Sequence, residues 1–235
     1  MVAFDAPEIR RLDLAAAVLG VRSFAAGRRP EEFGWFEVPQ AAAIDRAEQL
    51  LDSLGLIDRE QNRLTSIGEV AARLPAHPRI ARMLIEARRL GCELAAAEIA
   101  ALLGERELLR SREALDLDAL LELLHEFERR GARRGDAESL GLDYGVARAV
   151  LRGRDRLSSR GARDGRRDPE AVGCALVAGF PDRVVRNDGG GTGLLVGGRG
   201  VSIAGPSLED APLLVALRVE AVSYTHLTLP TIYSV

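Results

Sequence analysis

The stretch Leu64–Arg106, LTSIGEVAARLPAHPRIARMLIEARRLGCELAAAEIAALLGER, decides the fold of this chain. After a short helix and a Pro-His-Pro break it contains two amphipathic helices. In the first of them apolar residues recur at helical spacing, at Ile80, Leu84, Ala87 and Leu90. The second has its apolar stripe at Leu94, Ile99, Leu102 and Leu103. Pro78 suits the first turn of the first helix, and Gly91 suits its left-handed C-terminal cap. These residues alone predict two packed helices and no chemistry.

The segment before this stretch is typical of a winged helix. Helical spacing predicts one helix over Glu8–Leu19, with Ile9, Leu12, Ala16 and Leu19 on one side. A second helix is predicted over Pro39–Leu54, capped by Gly55. Residues 56–58 and 63–65 flank a polar turn and predict a small hairpin. Because the second helix carries only Arg46 as a base, we expect a packing scaffold and not a reader of the DNA major groove.

Several residues have both a structural and a functional interpretation. Phe33, Trp35 and Phe36 could stack on a base, but a core anchor for a small domain is favoured. His77 is interpreted as a structural turn residue, because the sequence shows no nucleophile or carboxylate near it. Cys92 and Cys174 lack a CxxC partner, so we expect two buried thiols and neither a disulfide nor a zinc site.

The second half of the chain changes from helices to strands. A helix is predicted over Asp116–Arg130, with its inner face at Leu117, Leu120, Leu121, Leu124 and Phe127. Another helix is predicted over Tyr144–Leu157. His125 and Glu126 have no second ligand at a metal spacing. From Pro169 onward, a short helix over Ala171–Gly179 precedes short β segments with glycine-rich turns, which fit a partial OB-like barrel. A barrel that stops at Val222 would keep one open edge.

Five blocks of this sequence resemble, in collinear order, the C-terminal region of DEAH-box (DEAH/RHA-type) RNA helicases, most closely the bacterial HrpB-like branch. They are APEIRRLDLAAAVLGV at 6–21, FEVPQAAAIDRAEQLLDSLGLID at 36–58, LPAHPRIARMLIEARRLGC at 74–92, IAALLGER at 99–106 and ALVAGFPDRVVR at 175–186. The resemblance covers most of residues 6–222. It implies a winged helix, a helical ratchet bundle and an OB-fold that follow two RecA-like motor domains.

The resemblance and the local patterns together predict the domain organisation. The fold class is mainly α with a C-terminal β portion. Residues 1–75 are expected to form the winged helix, residues 76–168 the helical ratchet domain with a basic linker, and residues 169–222 the partial OB-like fold. Residues 223–235 break the composition of the chain and are interpreted as a non-native tail, of the kind left by read-through of a sequencing adapter. Their uncharged, β-prone character predicts a strand.

Charge gives a local signal but no global one. The net charge of −3 makes no general case for nucleic acid, and all 32 basic residues are arginine, as a GC-rich coding sequence would produce. Arginines concentrate on the helix Pro78–Leu90 and between Arg148 and Arg167. Solvated faces with local ion pairs explain them as readily as RNA phosphates do. The candidate nucleic-acid contacts are Arg79, Arg82, Arg89, Arg148, Arg152 and Arg156.

Motifs for ATP hydrolysis are missing. The chain has no lysine, no Gly-Lys-Ser/Thr loop and no DEAH tetrapeptide. No catalytic residue, cofactor or metal is therefore expected in it, whereas the resemblance implies ATP and Mg in the motor domains of a parent protein. Its expected partners are single-stranded RNA, with DNA left open, and those motor domains. With no secretory signal and no apolar membrane span, we expect a cytoplasmic protein without a membrane partner. The alternative is a stand-alone winged-helix scaffold or regulator that binds protein or duplex DNA.

Overall fold

The computed structural model describes residues 13–25, 29–105, 117–159, 168–203, 211–223 and 226–234. The predicted fold class, mainly helical with a C-terminal β portion, is confirmed. The chain divides into two compact units, residues 1–85 and 86–235. The predicted domain boundaries after residues 75, 168 and 222 stay predictions.

Nine α-helices occur among the described residues. They are α1 (Ala15–Phe24), α2 (Ala41–Ser53), α3 (Ser66–Ala71), α4 (Pro78–Leu90), α5 (Glu93–Gly104), α6 (Leu117–Arg129), α7 (Arg134–Ser139), α8 (Tyr144–Leu157) and α9 (Pro169–Gly179). Two short strands, β1 (Ile57–Asp58) and β2 (Arg63–Leu64), pair antiparallel as the predicted hairpin. The backbone is left-handed at Gly55 and Gly91, with φ of 66° and 77°, as their predicted capping roles require.

The first unit packs α1, α2 and the hairpin around one apolar core. Leu51 and Leu56 are fully buried in this core, together with Val18 from α1. At Gly68 in α3, a Cβ atom would lie 1.9 Å from the carbonyl oxygen of Leu56, so only glycine lets α3 approach the backbone just before β1 this closely. The interior side predicted for the first helix is partly wrong, because Ala16 is exposed while Ala15 and Val18 are buried. The predicted positions Glu8 to Leu12 lie outside the described residues.

A buried ion pair also holds the first unit. Arg22 of α1 donates from Nε to Oε1 of Glu48 in α2 at 2.9 Å, and from Nη1 to Oδ1 of Asn62 at 2.9 Å. Both charged side chains are almost excluded from solvent. Since breaking a buried pair leaves an uncompensated charge, the three residues fix α1, α2 and the turn of the hairpin in one arrangement.

Alanines, more than leucines, line the interior of the second unit at α5. The buried residues are Ala96, Ala97, Glu98, Ile99, Ala100 and Ala101. Of the predicted apolar stripe, only Ile99 is fully buried, and Leu94, Leu102 and Leu103 lie at the half-buried margin. The difference follows from packing distance, because short side chains let a neighbouring helix approach where leucine would hold it away. Prediction was more accurate for α6, where Leu117, Leu121, Leu124 and Phe127 are buried and only Leu120 is half-buried.

Five strands near the end of the chain form a closed barrel in the order β3-β4-β5-β7-β6. They are β3 (Val184–Gly189), β4 (Thr192–Leu195), β5 (Gly200–Ile203), β6 (Leu213–Ser223) and β7 (His226–Ser234). Neighbouring strands are antiparallel except β5 and β7, which pair in parallel with Val201 opposite Leu227. Val185, Leu195 and Leu214 belong to its core. The edge expected to stay open is covered by β7, because its uncharged, β-prone residues can pair with both β5 and β6.

Candidate nucleic-acid interface

Helix α8 positions the candidate interface. Asp143 caps its first turn, with its carboxylate accepting a hydrogen bond from the Val146 amide at 2.9 Å. At Gly153, a Cβ atom would lie 3.0 Å from the Cβ of Ala101 in α5, so the two helices touch closely. One side of α8 is buried in the core of the second unit, at Ala147, Val150 and Leu151. These contacts determine which side of α8 remains for solvent.

The opposite side of α8 carries the α8 arginine row, which consists of Arg148, Arg152 and Arg156. Steps of four residues separate its members, each a rise of about 6 Å along the helix axis. Arg152 and Arg156 are exposed, and Arg148 is half-buried. Within the part of the chain that the structure describes, none of these three guanidinium groups has a carboxylate within ion-pairing distance. The row therefore presents cations that phosphates could neutralise.

Arg154 points to the other side of the same helix and forms ion pairs within the protein. It forms a bidentate pair with Glu128 of α6, with N–O distances of 2.7 and 2.8 Å, and a further pair with Asp155 at 3.0 Å. The hydrogen bonds to Glu128 raise the pKa of Arg154 and lower the pKa of Glu128. Arg154 lies within the basic stretch of the sequence, and its ion pairs separate it from the other arginines there.

A buried carboxylate lies beneath Arg154. Glu98 of α5 is 2% exposed, and its Oε2 lies 2.8 Å from Nε2 of His125 in α6. Its other oxygen lies 3.7 Å from Nη1 of Arg154. The side chain of His125 is 39% exposed and reaches solvent. This cluster joins α5, α6 and α8 and was not predicted, because the partners are separated by 27 residues or more in the chain.

Glu93, the first residue of α5, fastens the end of α8. Its carboxylate accepts hydrogen bonds from the amide and the hydroxyl of Ser159, at 2.9 and 2.7 Å, and from Nε of Arg88 at 2.8 Å. Burial acts to raise the pKa of Glu93, but the bonds from Ser159 and Arg88 outweigh it and lower that pKa. The remaining arginines of the basic stretch, Arg160, Arg163, Arg166 and Arg167, lie outside the described residues.

The arginines of α4 are more buried, or make more contacts within the protein, than those of the α8 arginine row. Arg79 is 9% exposed. Arg82 is half-buried and donates from Nε to the carbonyl oxygen of Leu54 at 3.2 Å. Arg89 is exposed and forms an ion pair with Glu86, in which Nη2 lies 2.6 Å from Oε1. Their predicted role in nucleic-acid binding stays a prediction.

The aromatic cluster and His77, both in the first unit, have specific contacts in the structure. Trp35 donates from Nε1 to the carbonyl oxygen of Pro30 at 2.7 Å and meets Phe33 edge-to-face, with ring centroids 5.0 Å apart, as an anchor would. Phe36 is fully exposed, so the core-anchor interpretation is wrong for this residue. His77 does have a carboxylate neighbour, since its Nε2 lies 3.3 Å from Oδ2 of Asp13, 64 residues earlier. This hydrogen bond lowers the pKa of Asp13 to about 2.

Metal-binding clusters and membrane-spanning helices are absent from the described residues. No group of three or more His, Cys, Asp or Glu side chains there could hold a metal ion. No described helix is long and apolar enough to cross a membrane. Cys92 is buried as expected, and burial raises its pKa. The expectation for Cys174 is wrong, because this thiol lies on the exposed side of α9.

Comparison with known proteins finds no matching family model. Among curated proteins, the chain is similar to the ATP-dependent RNA helicase HrpA of Escherichia coli, with 34% identity over 93 residues, 38% of this chain and 7% of the relative. It is 26% identical to the ATP-dependent RNA helicase HrpB of Escherichia coli over 185 residues, 78% of this chain and 19% of the relative. The mouse probable ATP-dependent RNA helicase DHX34 is 38% identical over 82 residues, 35% of this chain and 7% of the relative.

Solved structures agree with the sequence matches. The crystal structure of the Escherichia coli DExH-box NTPase HrpB aligns with a TM-score of 0.74 and 24% identity, over 99% of this chain and 26% of that chain. The fold is therefore that of a region of HrpB, while the chain spans less than a fifth of the curated relatives it matches. The resemblance to an HrpB-like DEAH-box RNA helicase, predicted from the sequence, is confirmed.

Proposed function

We propose that this chain is the C-terminal accessory module of an ATP-dependent RNA helicase, that it guides single-stranded nucleic acid, and that it packs on the motor domains. The homology to RNA helicases supports this proposal at the level of the parent protein. ATP and Mg belong, on this proposal, to the RecA-like motor domains, since this chain has no lysine and no P-loop. We propose that its parts are a winged helix, a ratchet bundle and an OB-like barrel. Its proposed location is the cytoplasm.

The single observation that carries the strand-guiding role is the α8 arginine row. Most other arginines of the second unit with described contacts already have a carboxylate partner, as Arg88, Arg129, Arg130 and Arg154 do. A phosphate that approached one of those would have to displace an ion pair, whereas the row offers guanidinium groups at a regular interval along one helix. Repeated cations along one side suit a backbone with repeated negative charges, and contacts of this kind favour no particular base.

A binding titration of the 235-residue chain tests this function. We expect weak binding to single-stranded RNA, measured by fluorescence anisotropy, that falls as salt rises, because bound phosphates release counterions. We also expect no ATP hydrolysis by the chain itself. Binding that ignores salt, or no binding at low ionic strength, would refute the strand-guiding role.

The alternative function is a stand-alone winged-helix scaffold or regulator with a protein or duplex DNA partner. Reading the coding sequence upstream of Met1 separates the two. A P-loop and a DEAH box in the same reading frame support the helicase module. A stop codon followed by a ribosome-binding site supports the stand-alone protein.

A further inference from the structure

An arginine and a tyrosine form a stacked pair at one end of the α8 arginine row. Cζ of Arg134, in α7, lies 5.1 Å from the ring centroid of Tyr144, the first residue of α8. Tyr144 lies four residues before Arg148, so the pair continues the row by one helical step. Neither residue was singled out by the sequence, because their contact depends on how α7 folds back on α8.

The core holds the ring of Tyr144 in place from below. Phe127 of α6 meets it edge-to-face, with ring centroids 6.4 Å apart and an interplanar angle of 83°. Phe127 itself is fully buried, so the ring has a fixed support. Arg134, which lies over the same ring, is exposed. Among the described residues this guanidinium makes no ion pair and contacts the Tyr144 ring.

A supported guanidinium plane next to a row of cations suits an unpaired nucleotide. Proteins stack unpaired bases on aromatic rings and on arginine planes, and such stacking tolerates any base. Bases within a duplex are already stacked on one another and are not free to take up such a position. The α8 arginine row alone would bind the phosphates of a single strand or of a duplex.

We propose that the Arg134–Tyr144 pair is a base-stacking platform, which receives one unpaired base of a strand whose phosphates lie along Arg148, Arg152 and Arg156. This inference rests on the proposed strand-guiding function and adds to it a reason for preferring single strands to duplexes. The platform also places the base at the N-terminal end of α8, which gives the bound strand a defined register along the row.

The test replaces Arg134 by lysine, which keeps the positive charge and removes the plane. The matched control is Arg133→Lys, at the adjacent exposed position, which contacts no aromatic ring among the described residues. Both variants and the wild-type 235-residue chain are titrated with a single-stranded RNA of about ten nucleotides and, separately, with inorganic polyphosphate, which has phosphates and no bases. Circular dichroism confirms that each variant is folded.

We expect Arg134→Lys to weaken RNA binding by about fivefold or more, as loss of one stacked base implies, and to leave polyphosphate binding unchanged. The control variant should change neither. Unchanged RNA binding by Arg134→Lys, in a chain whose RNA binding still depends on Arg152 and Arg156, would overturn the platform and leave the proposed function standing. An equal loss for RNA and polyphosphate would also overturn it. A wild-type chain that binds no RNA would refute the proposed function itself, and the platform with it.

Discussion

Removing two members of the α8 arginine row should change RNA binding in a way that depends on salt. The variant Arg152→Gln/Arg156→Gln deletes two exposed cations without an acidic partner among the described residues. If each neutralises one phosphate, the slope of log affinity against log salt becomes less steep by about 1.4, since each contact to a single strand contributes about 0.7. With the electrostatic part taken to vanish at about 1 M salt, affinity falls roughly 70-fold at about 50 mM and roughly tenfold at about 200 mM.

A second double variant controls for net charge. Arg129→Gln/Arg130→Gln removes the same number of positive charges from α6 and its C-terminal end, but both of these arginines are paired with Glu126. If only total charge mattered, the two double variants would lose affinity equally. Because paired arginines give up an ion pair to bind phosphate, we expect the control to change affinity by less than about threefold at either salt concentration.

Fluorescence anisotropy with a labelled single-stranded RNA, measured at several salt concentrations, gives the affinities and the slope for each variant. A wild-type slope for Arg152→Gln/Arg156→Gln would refute the proposed phosphate contacts of these two arginines. An equal decrease in slope for the control and the row variant would refute them too. Paired and unpaired arginines would then contribute equally to RNA binding, and the position of the row on α8 would not matter.

Three further predictions concern the scaffold. Leu124→Ala in α6, at a fully buried position, should lower the free energy of unfolding by about 2–5 kcal/mol, as measured by urea unfolding, and a loss below about 1 kcal/mol would contradict the described core. Arg154→Met should lower the free energy of unfolding by about 2–4 kcal/mol in the same measurement, because the buried Glu98 loses a nearby guanidinium and Glu128 loses its bidentate partner; a neutral result would contradict the described pairing. The pKa of Asp13 is lowered to about 2 from 3.8, so its contribution to stability is present above pH 3.8 and is lost as pH falls towards 2. Thermal unfolding of Asp13→Asn should therefore lack that part of the acid dependence, and a variant with the wild-type pH profile would contradict the contact with His77.

Local patterns in the sequence predicted most of the fold. Helical spacing predicts α8 at Tyr144–Leu157, which are its observed bounds, and turn residues predict the hairpin and most of the strands. These features depend on neighbours within a few residues, and for that reason a single sequence determines them. The leucine stripe predicted for α5 is mostly wrong, because which of its residues are buried depends on how closely another helix approaches.

The candidate site was predictable only in part. The sequence marked α8 and its surroundings as basic, but it could not separate Arg152 from Arg154. That separation depends on Glu98 and Glu128, which lie 26 residues or more away in the chain and reach Arg154 only after α5, α6 and α8 have packed. The contact between Arg134 and Tyr144 was missed for the same reason, since it requires the turn that returns α7 to the start of α8. An arginine's role depends on its partners, and those are set by tertiary structure.

The most direct test of the account is to map where a single-stranded RNA touches the 235-residue chain. A photoreactive uridine in the RNA, cross-linked under low salt, would be followed by mass spectrometry of the modified peptides. We predict cross-links concentrated between Arg134 and Arg156, and their loss when salt is raised. Cross-links spread evenly over both units, or confined to the first unit, would contradict the claim that α8 is the interface.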